Sequence, residues 1–247
     1  MPPTRMQGIP QALPGMHRFF QGPPLEMLAT ELLYFAVVVS ICLIIYFRTR
    51  ELYSVSQHKG LFHFRNVFLY FAAAYSLRLL QLVFQLSSEV LEITPWRGFS
   101  IVLPLVSYFS TLAILSLPMA LMAARFKQTI LRETIALHLT AFVSLLLVFA
   151  TGSQALLLLI QSIVLLASVL AIFMAPKQAK HKFLSQNRVT YLLLAAFWVV
   201  NLLALTKRLL PMELKLALYP LSAIVFVSLF LRVRKRLPSN VKKKKQA

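Results

Sequence analysis

The stretch "FLYFAAAYSLRLLQLVFQ", residues 68–85, is an apolar run with one cation, Arg78, in its middle. At ~1.5 Å per helical residue, eighteen such residues nearly cross a hydrocarbon layer of ~30 Å. Six other stretches of this kind surround it. Hydropathy places seven spans at about 28–47, 65–87, 98–124, 130–150, 154–175, 189–206 and 213–232. The fold expected is all-α, a polytopic bundle of seven transmembrane helices. Residues 1–27 precede it as a Pro- and Gly-punctuated segment, 28–232 form the bundle, and 233–247 form a basic tail.

Composition agrees. The chain is 59% hydrophobic and 13% charged, with mean hydropathy +0.74 and no Asp. Soluble domains carry about 25% charged residues, and this chain has too little polar surface to cover a soluble globule. The opening "MPPTRMQGIPQALPGMHRFFQGPPLE" has no apolar signal core, so the first span is expected to be retained as an anchor. Cys42 is the single cysteine, which excludes an intramolecular disulfide and a multi-cysteine metal site. "TGSQ" (151–154) predicts a tight turn between the fourth and fifth helices, and Pro104 and Pro118 predict a kink in the third.

Nineteen of the 26 Lys and Arg residues fall in the segments after the first, third, fifth and seventh helices. The positive-inside rule then puts the N-terminus outside and the C-terminus in the cytoplasm. The carboxylates lean the other way: Glu26, Glu31, Glu89, Glu92 and Glu213 are outside, Glu51 and Glu133 inside. Lys59, Arg65, Arg234, Lys235, Arg236, Lys242, Lys243, Lys244 and Lys245 are therefore read as contacts to anionic headgroups, at about 1 kcal/mol each, or to a cytosolic partner. The net charge of +19 belongs to membrane topology and not to nucleic-acid binding. "FRTRELYSVSQHKGLFHFR" (47–65) reads as an interfacial loop, with Phe62 and Phe64 as anchors.

Arg78 needs something to offset a charge costing about 2.5–3.5 kcal/mol near the bilayer centre. Gln81, Gln85, Ser88 and Glu92 follow it at helical spacing, making one polar face that opens toward the N-terminal side. Glu31, Tyr108, Gln161, Asn201 and Tyr219 fall in the same half by residue count. These residues define an expected polar crevice with Arg78 at its floor. The alternative is interhelical glue, in which Arg78 pairs with Glu31 or a carbonyl. Residues 65–80 and 188–203 align without gaps, setting Arg78 opposite Asn201, which allows a parallel duplication. His138, mid-span in the fourth helix, is read as hydrogen-bonded structure.

No motif supports catalysis, a metal or a cofactor. A retinal lysine is missing from the seventh helix beyond Lys215, paired haem histidines are missing, and no Asp-rich or Ser/His constellation occurs. The chain is expected not to be an enzyme and to need no cofactor. "YSVSQHKGLFHFRNVFLYFAAAYSLRL", following the first helix, and the N-out seven-span plan together resemble uncharacterised seven-helix membrane proteins of archaea. The likeness to seven-helix receptor modules of sensor kinases is architectural only, because this chain ends in "KKKKQA" with no catalytic domain. The leading expectation is a receptor-like or sensory protein of the cell membrane. A small-solute or lipid transporter and a non-catalytic assembly scaffold are the alternatives.

Overall fold

The computed structural model describes residues 25–90, 99–122, 129–174, 188–205 and 212–236. Within them are seven helices: α1 (Leu25–Ser56), α2 (Lys59–Val90), α3 (Phe99–Met122), α4 (Ile130–Thr151), α5 (Gln154–Met174), α6 (Arg188–Leu205) and α7 (Met212–Arg236). Six of them contain stretches long and apolar enough to cross a membrane: Leu28–Ser56, Lys59–Phe84, Ile101–Met122, Ile130–Thr151, Gln154–Met174 and Ala217–Lys235. The apolar part of α6, Val189–Leu203, is shorter. This is the build of an integral membrane protein.

Packing follows chain order for the most part. α1 lies against α2 and α7, α2 against α3, α3 against both α4 and α5, and α6 joins α5 to α7. The core is aromatic and concentrated on α2: Phe64, Phe68, Phe71 and Tyr75 are buried there with Tyr191, Phe197 and Trp198 of α6 and Phe226 of α7. α4 and α5 instead bury one narrow stripe each, Glu133, Leu137, Ala141, Ser144, Val148 and Leu157, Gln161, Leu165, Ser168, Ile172. Both stripes step by 4, 4, 3 and 4, the repeat of one helix face. Their outer faces show Leu139, Phe142, Phe149, Ile163, Leu166 and Phe173. In water such a surface would aggregate, whereas in hydrocarbon it costs nothing.

The turns explain the helix ends. Gly152 ends α4 in the left-handed region (φ 58°), its N–H donating to the Val148 carbonyl at 2.8 Å. Ser153 then caps α5 by accepting the Leu156 N–H at 3.3 Å, so "TGSQ" is the tight turn expected. α3 runs as one helix through Pro104 and Pro118.

The segment read as an interfacial loop is a correction. α1 continues to Ser56 and α2 begins at Lys59, so only Gln57 and His58 lie outside a helix. Gln57 takes a left-handed φ of 50° and its N–H donates to the Tyr53 carbonyl, ending α1. His58 caps α2, its Nδ1 accepting the Gly60 N–H at 3.1 Å while its carbonyl receives Leu61. Hydropathy loses a helix where charged residues begin. The backbone bonds carry on through them.

Candidate functional site

The first turns of α1 and α7, the second half of α2 and the last turns of α6 meet at the end of the bundle that carries the start of α1. Glu31 and Tyr34, Tyr75 and Arg78, Asn201, and Tyr219 and Ser222 come together there. The Tyr34 hydroxyl donates to Asn201 Oδ1 at 2.9 Å and lies 2.7 Å from Ser222 Oγ. Asn201 Nδ2 donates to Ser222 Oγ at 3.1 Å and to the Phe197 carbonyl at 2.7 Å. Since the single Tyr34 proton goes to Asn201, Ser222 must donate back to Tyr34. The three groups thus form a closed ring in which each gives one hydrogen bond to the next.

Beside this ring, the Tyr219 hydroxyl donates to Glu31 Oε1. The Tyr34 ring packs against Tyr219 and Tyr75, with centroids 5.3 and 6.3 Å away. Half-buried Arg78 places its guanidinium carbon 5.8 Å from the Tyr75 centroid, within electrostatic range of Tyr34, Tyr219 and Glu31. Among the described residues Arg78 makes no hydrogen bond or ion pair, and the Tyr75 hydroxyl is buried without a hydrogen-bond partner. The chamber therefore holds a satisfied frame and two donor groups that the frame does not use.

An aromatic layer lies one helical turn deeper. Phe71 is one turn from Tyr75, Phe197 one from Asn201, and Phe226 one from Ser222. Phe71 stacks on Trp198 at 4.8 Å and meets Phe197 edge-on at 5.6 Å, and Phe197 packs on Phe226 at 4.6 Å. All four rings are buried, so the layer directly beneath the chamber is aromatic.

Of the residues expected in one crevice, the structure brings together Arg78, Glu31, Asn201 and Tyr219. Gln81 is half-buried one turn further along α2, and the Gln85 side chain lies outside the described residues. Gln161 lies elsewhere, in a polar seam along α3, where its Nε2 donates to Ser110. Ser144 of α4 bonds Ser107 and Thr111 in the same seam, at 2.7 and 3.2 Å. Tyr108 belongs to a third group, its hydroxyl 2.6 Å from His138 Nδ1, with the Tyr70 hydroxyl 3.5 Å from Nε2.

At the opposite end, His63 Nε2 and Glu133 Oε2 stand 2.9 Å apart with both side chains about 1% exposed. Sequence reasoning passed over this pair. Arg65 is held over the rings of Tyr53 and Phe62, at 4.5 and 4.9 Å, and Lys59 is half-buried. Arg234 and Lys235 are exposed at the end of α7, while the side chain of Arg236 and Lys242, Lys243, Lys244 and Lys245 lie outside the described residues. Tyr34, Tyr75 and Ser222 were missed too. A usable signal existed, since each stands three residues from a polar residue that was noticed: Glu31, Arg78 and Tyr219. Among the described residues no three of His, Cys, Asp and Glu gather as a metal-binding group.

No protein-family profile matches the chain, and no solved structure does. A protein of Archaeoglobus fulgidus described as an "uncharacterized protein" is 33% identical over 223 residues, which cover 87% of this chain and 96% of that one. At that identity over nearly the full length of both, the chain belongs to the same family as this uncharacterised archaeal protein.

Proposed function

We propose that the chain is a receptor-like or sensory integral membrane protein of the cell membrane with seven spans. Its N-terminus is outside, its C-terminus is cytoplasmic, and the chamber around Arg78 is its ligand site. One observation carries this reading. Among the described residues the Arg78 guanidinium makes no hydrogen bond or ion pair and the buried Tyr75 hydroxyl beside it has no hydrogen-bond partner, although Glu31 stands close enough to be felt. A cation kept in an apolar span against its insertion cost, with no structural bond among the described residues, suits an exchangeable acceptor. The ligand class is a small solute bearing a carboxylate or similar anion, oriented by the guanidinium fork and by tyrosine hydroxyls.

The aromatic layer beneath the chamber favours reception over passage, because a transporter needs polar access on both sides. Nineteen of the 26 basic residues follow the first, third, fifth and seventh helices in sequence, which supports the orientation and a cytoplasmic face that meets anionic headgroups or a protein partner. No catalytic step is assigned to the chain.

The test is a panel of small mono- and dicarboxylates, read as thermal shifts of the protein in lipid nanodiscs. A compound that stabilises the wild type and has no effect on Arg78→Met supports the site. If no carboxylate shifts the wild type, the ligand reading is lost. Uptake of the active compound into protein-containing liposomes would replace reception with transport.

A further inference from the structure

At the end of the bundle remote from the chamber, α6 and α7 leave an open groove of about 510 Å³, lined by Leu193, Ser228, Leu231, Arg232 and Lys235. Four of the five come from α7 at positions i, i+3, i+4 and i+7, which is a single helix face. The polar members point to an anion. Arg232 and Lys235 are cations one turn apart, and Ser228 adds a hydroxyl that can donate. No carboxylate balances them: among the described residues the ion pair within bonding distance is His63–Glu133, on other helices. The Arg232 Nε is buried and has no hydrogen-bond partner. A guanidinium N–H shut off from solvent needs an acceptor, and the described residues supply none.

The remaining walls say what kind of molecule carries that acceptor. Leu193 and Leu231 close the groove on the apolar side. From there an exposed strip of Val227, Ile224 and Leu221 continues along α7 into the membrane-spanning length. A free anion gains nothing from that strip, whereas a phosphate attached to an acyl or alkyl chain fits both parts. We propose that this groove is a specific site for an anionic membrane lipid. Its phosphate is gripped by Arg232 and Lys235 with help from Ser228, and its chain lies along α7. The site differs from diffuse attraction of a basic tail to a charged surface, since it depends on a shaped groove and on one guanidinium whose inner N–H is already dry. It stands apart from the chamber and does not rest on the function proposed for it.

The experiment is native mass spectrometry of the full chain in detergent, titrated with phosphatidylglycerol or with phosphatidylcholine. Wild type should retain one tightly held phosphatidylglycerol in preference to phosphatidylcholine. Two variants attack the site differently. Arg232→Gln with Lys235→Gln removes the cations and keeps the groove, while Leu193→Trp fills the groove and keeps the cations. Both should weaken phosphatidylglycerol retention by about tenfold or more, the loss expected with a charge-assisted contact. Arg234→Gln, one residue outside the groove face, should retain it like the wild type. Circular dichroism of each variant in phosphatidylcholine alone separates loss of the lipid from loss of the fold. Unchanged retention in Leu193→Trp would reduce the effect to surface charge and overturn the site. Release of the lipid by inorganic phosphate at matched concentration would overturn the lipid as its occupant.

Discussion

The Tyr34 hydroxyl reaches Asn201 Oδ1 at 2.9 Å across 167 positions of sequence, tying the start of α1 to the end of α6. Ser222 closes the ring from α7, so three helices are fixed at one level by three side chains. Asn201→Leu should destabilise the protein by about 0.6–1.7 kcal/mol, the range for hydrogen bonds between membrane helices. A cycle with Tyr34→Phe, measured by unfolding in mixed micelles, should be strongly non-additive, because either change breaks the same ring. Independent, additive losses would mean that the ring is not a unit.

Arg78→Met tests the chamber from the side of stability. With no hydrogen bond or ion pair among the described residues to lose, the variant should melt in nanodiscs at the wild-type temperature or higher, the direction set by the insertion cost of arginine. A clear drop would instead mark Arg78 as a structural tie, for example to Glu31 through water.

The buried His63–Glu133 contact behaves as a pair or not at all. His63→Leu leaves a buried carboxylate alone, in which Oε1 is already without a partner, and should cost about 3–5 kcal/mol. The double change His63→Leu with Glu133→Leu should recover most of that loss, since nothing charged is left in the core. Chemical unfolding of the three proteins decides it, and a double variant worse than the single would refute the pairing.

Gly152 has no neighbour within 4 Å of where a Cβ would stand, but its φ is 58°. Gly152→Ala should therefore cost about 1 kcal/mol from backbone conformation alone, and Gly152→Asn less. Equal stability of the alanine variant would show that the turn relaxes without penalty.

Orientation is checked with single cysteines on a Cys42→Ser background. Ser153→Cys, in the α4–α5 turn, should react with a membrane-impermeant maleimide in intact cells. Ser239→Cys, in the basic tail, should react only after lysis. The reverse pattern would invert the proposed topology.

Depth was legible in the sequence and azimuth was not. Counting residues from the basic ends placed Glu31, Arg78, Asn201, Gln161 and Tyr108 at comparable heights. Height alone cannot say which way a helix is turned, and α3 turns Ser110 to Gln161 while presenting Tyr108 to His138. The tight turn at 151–154 was legible because glycine and serine there have few alternatives. The continuation of α1 through "RTRELYSVS" was not, since hydropathy registers the solvent around a helix and not the helix. Glu133 was placed at the cytoplasmic start of the fourth span, but its azimuth was not legible: it is buried in the first turn of α4 against a histidine 70 residues away.

The two-residue link at Gln57–His58 gives α1 and α2 a mechanical character. Each helix has 32 residues, hence a length of about 48 Å, well beyond the ~30 Å of hydrocarbon. Joined so tightly and packed side by side, they form one double rod with Glu31 and Tyr34 near the start of α1, Tyr75 and Arg78 just past the middle of α2, and the link at the far end. The chamber stands about 30 Å from the link along this rod, so a change of tilt of only ~5° about the chamber would carry the link sideways by roughly 3 Å. The hairpin is thus a lever arm, and the tip it swings is Gln57–His58.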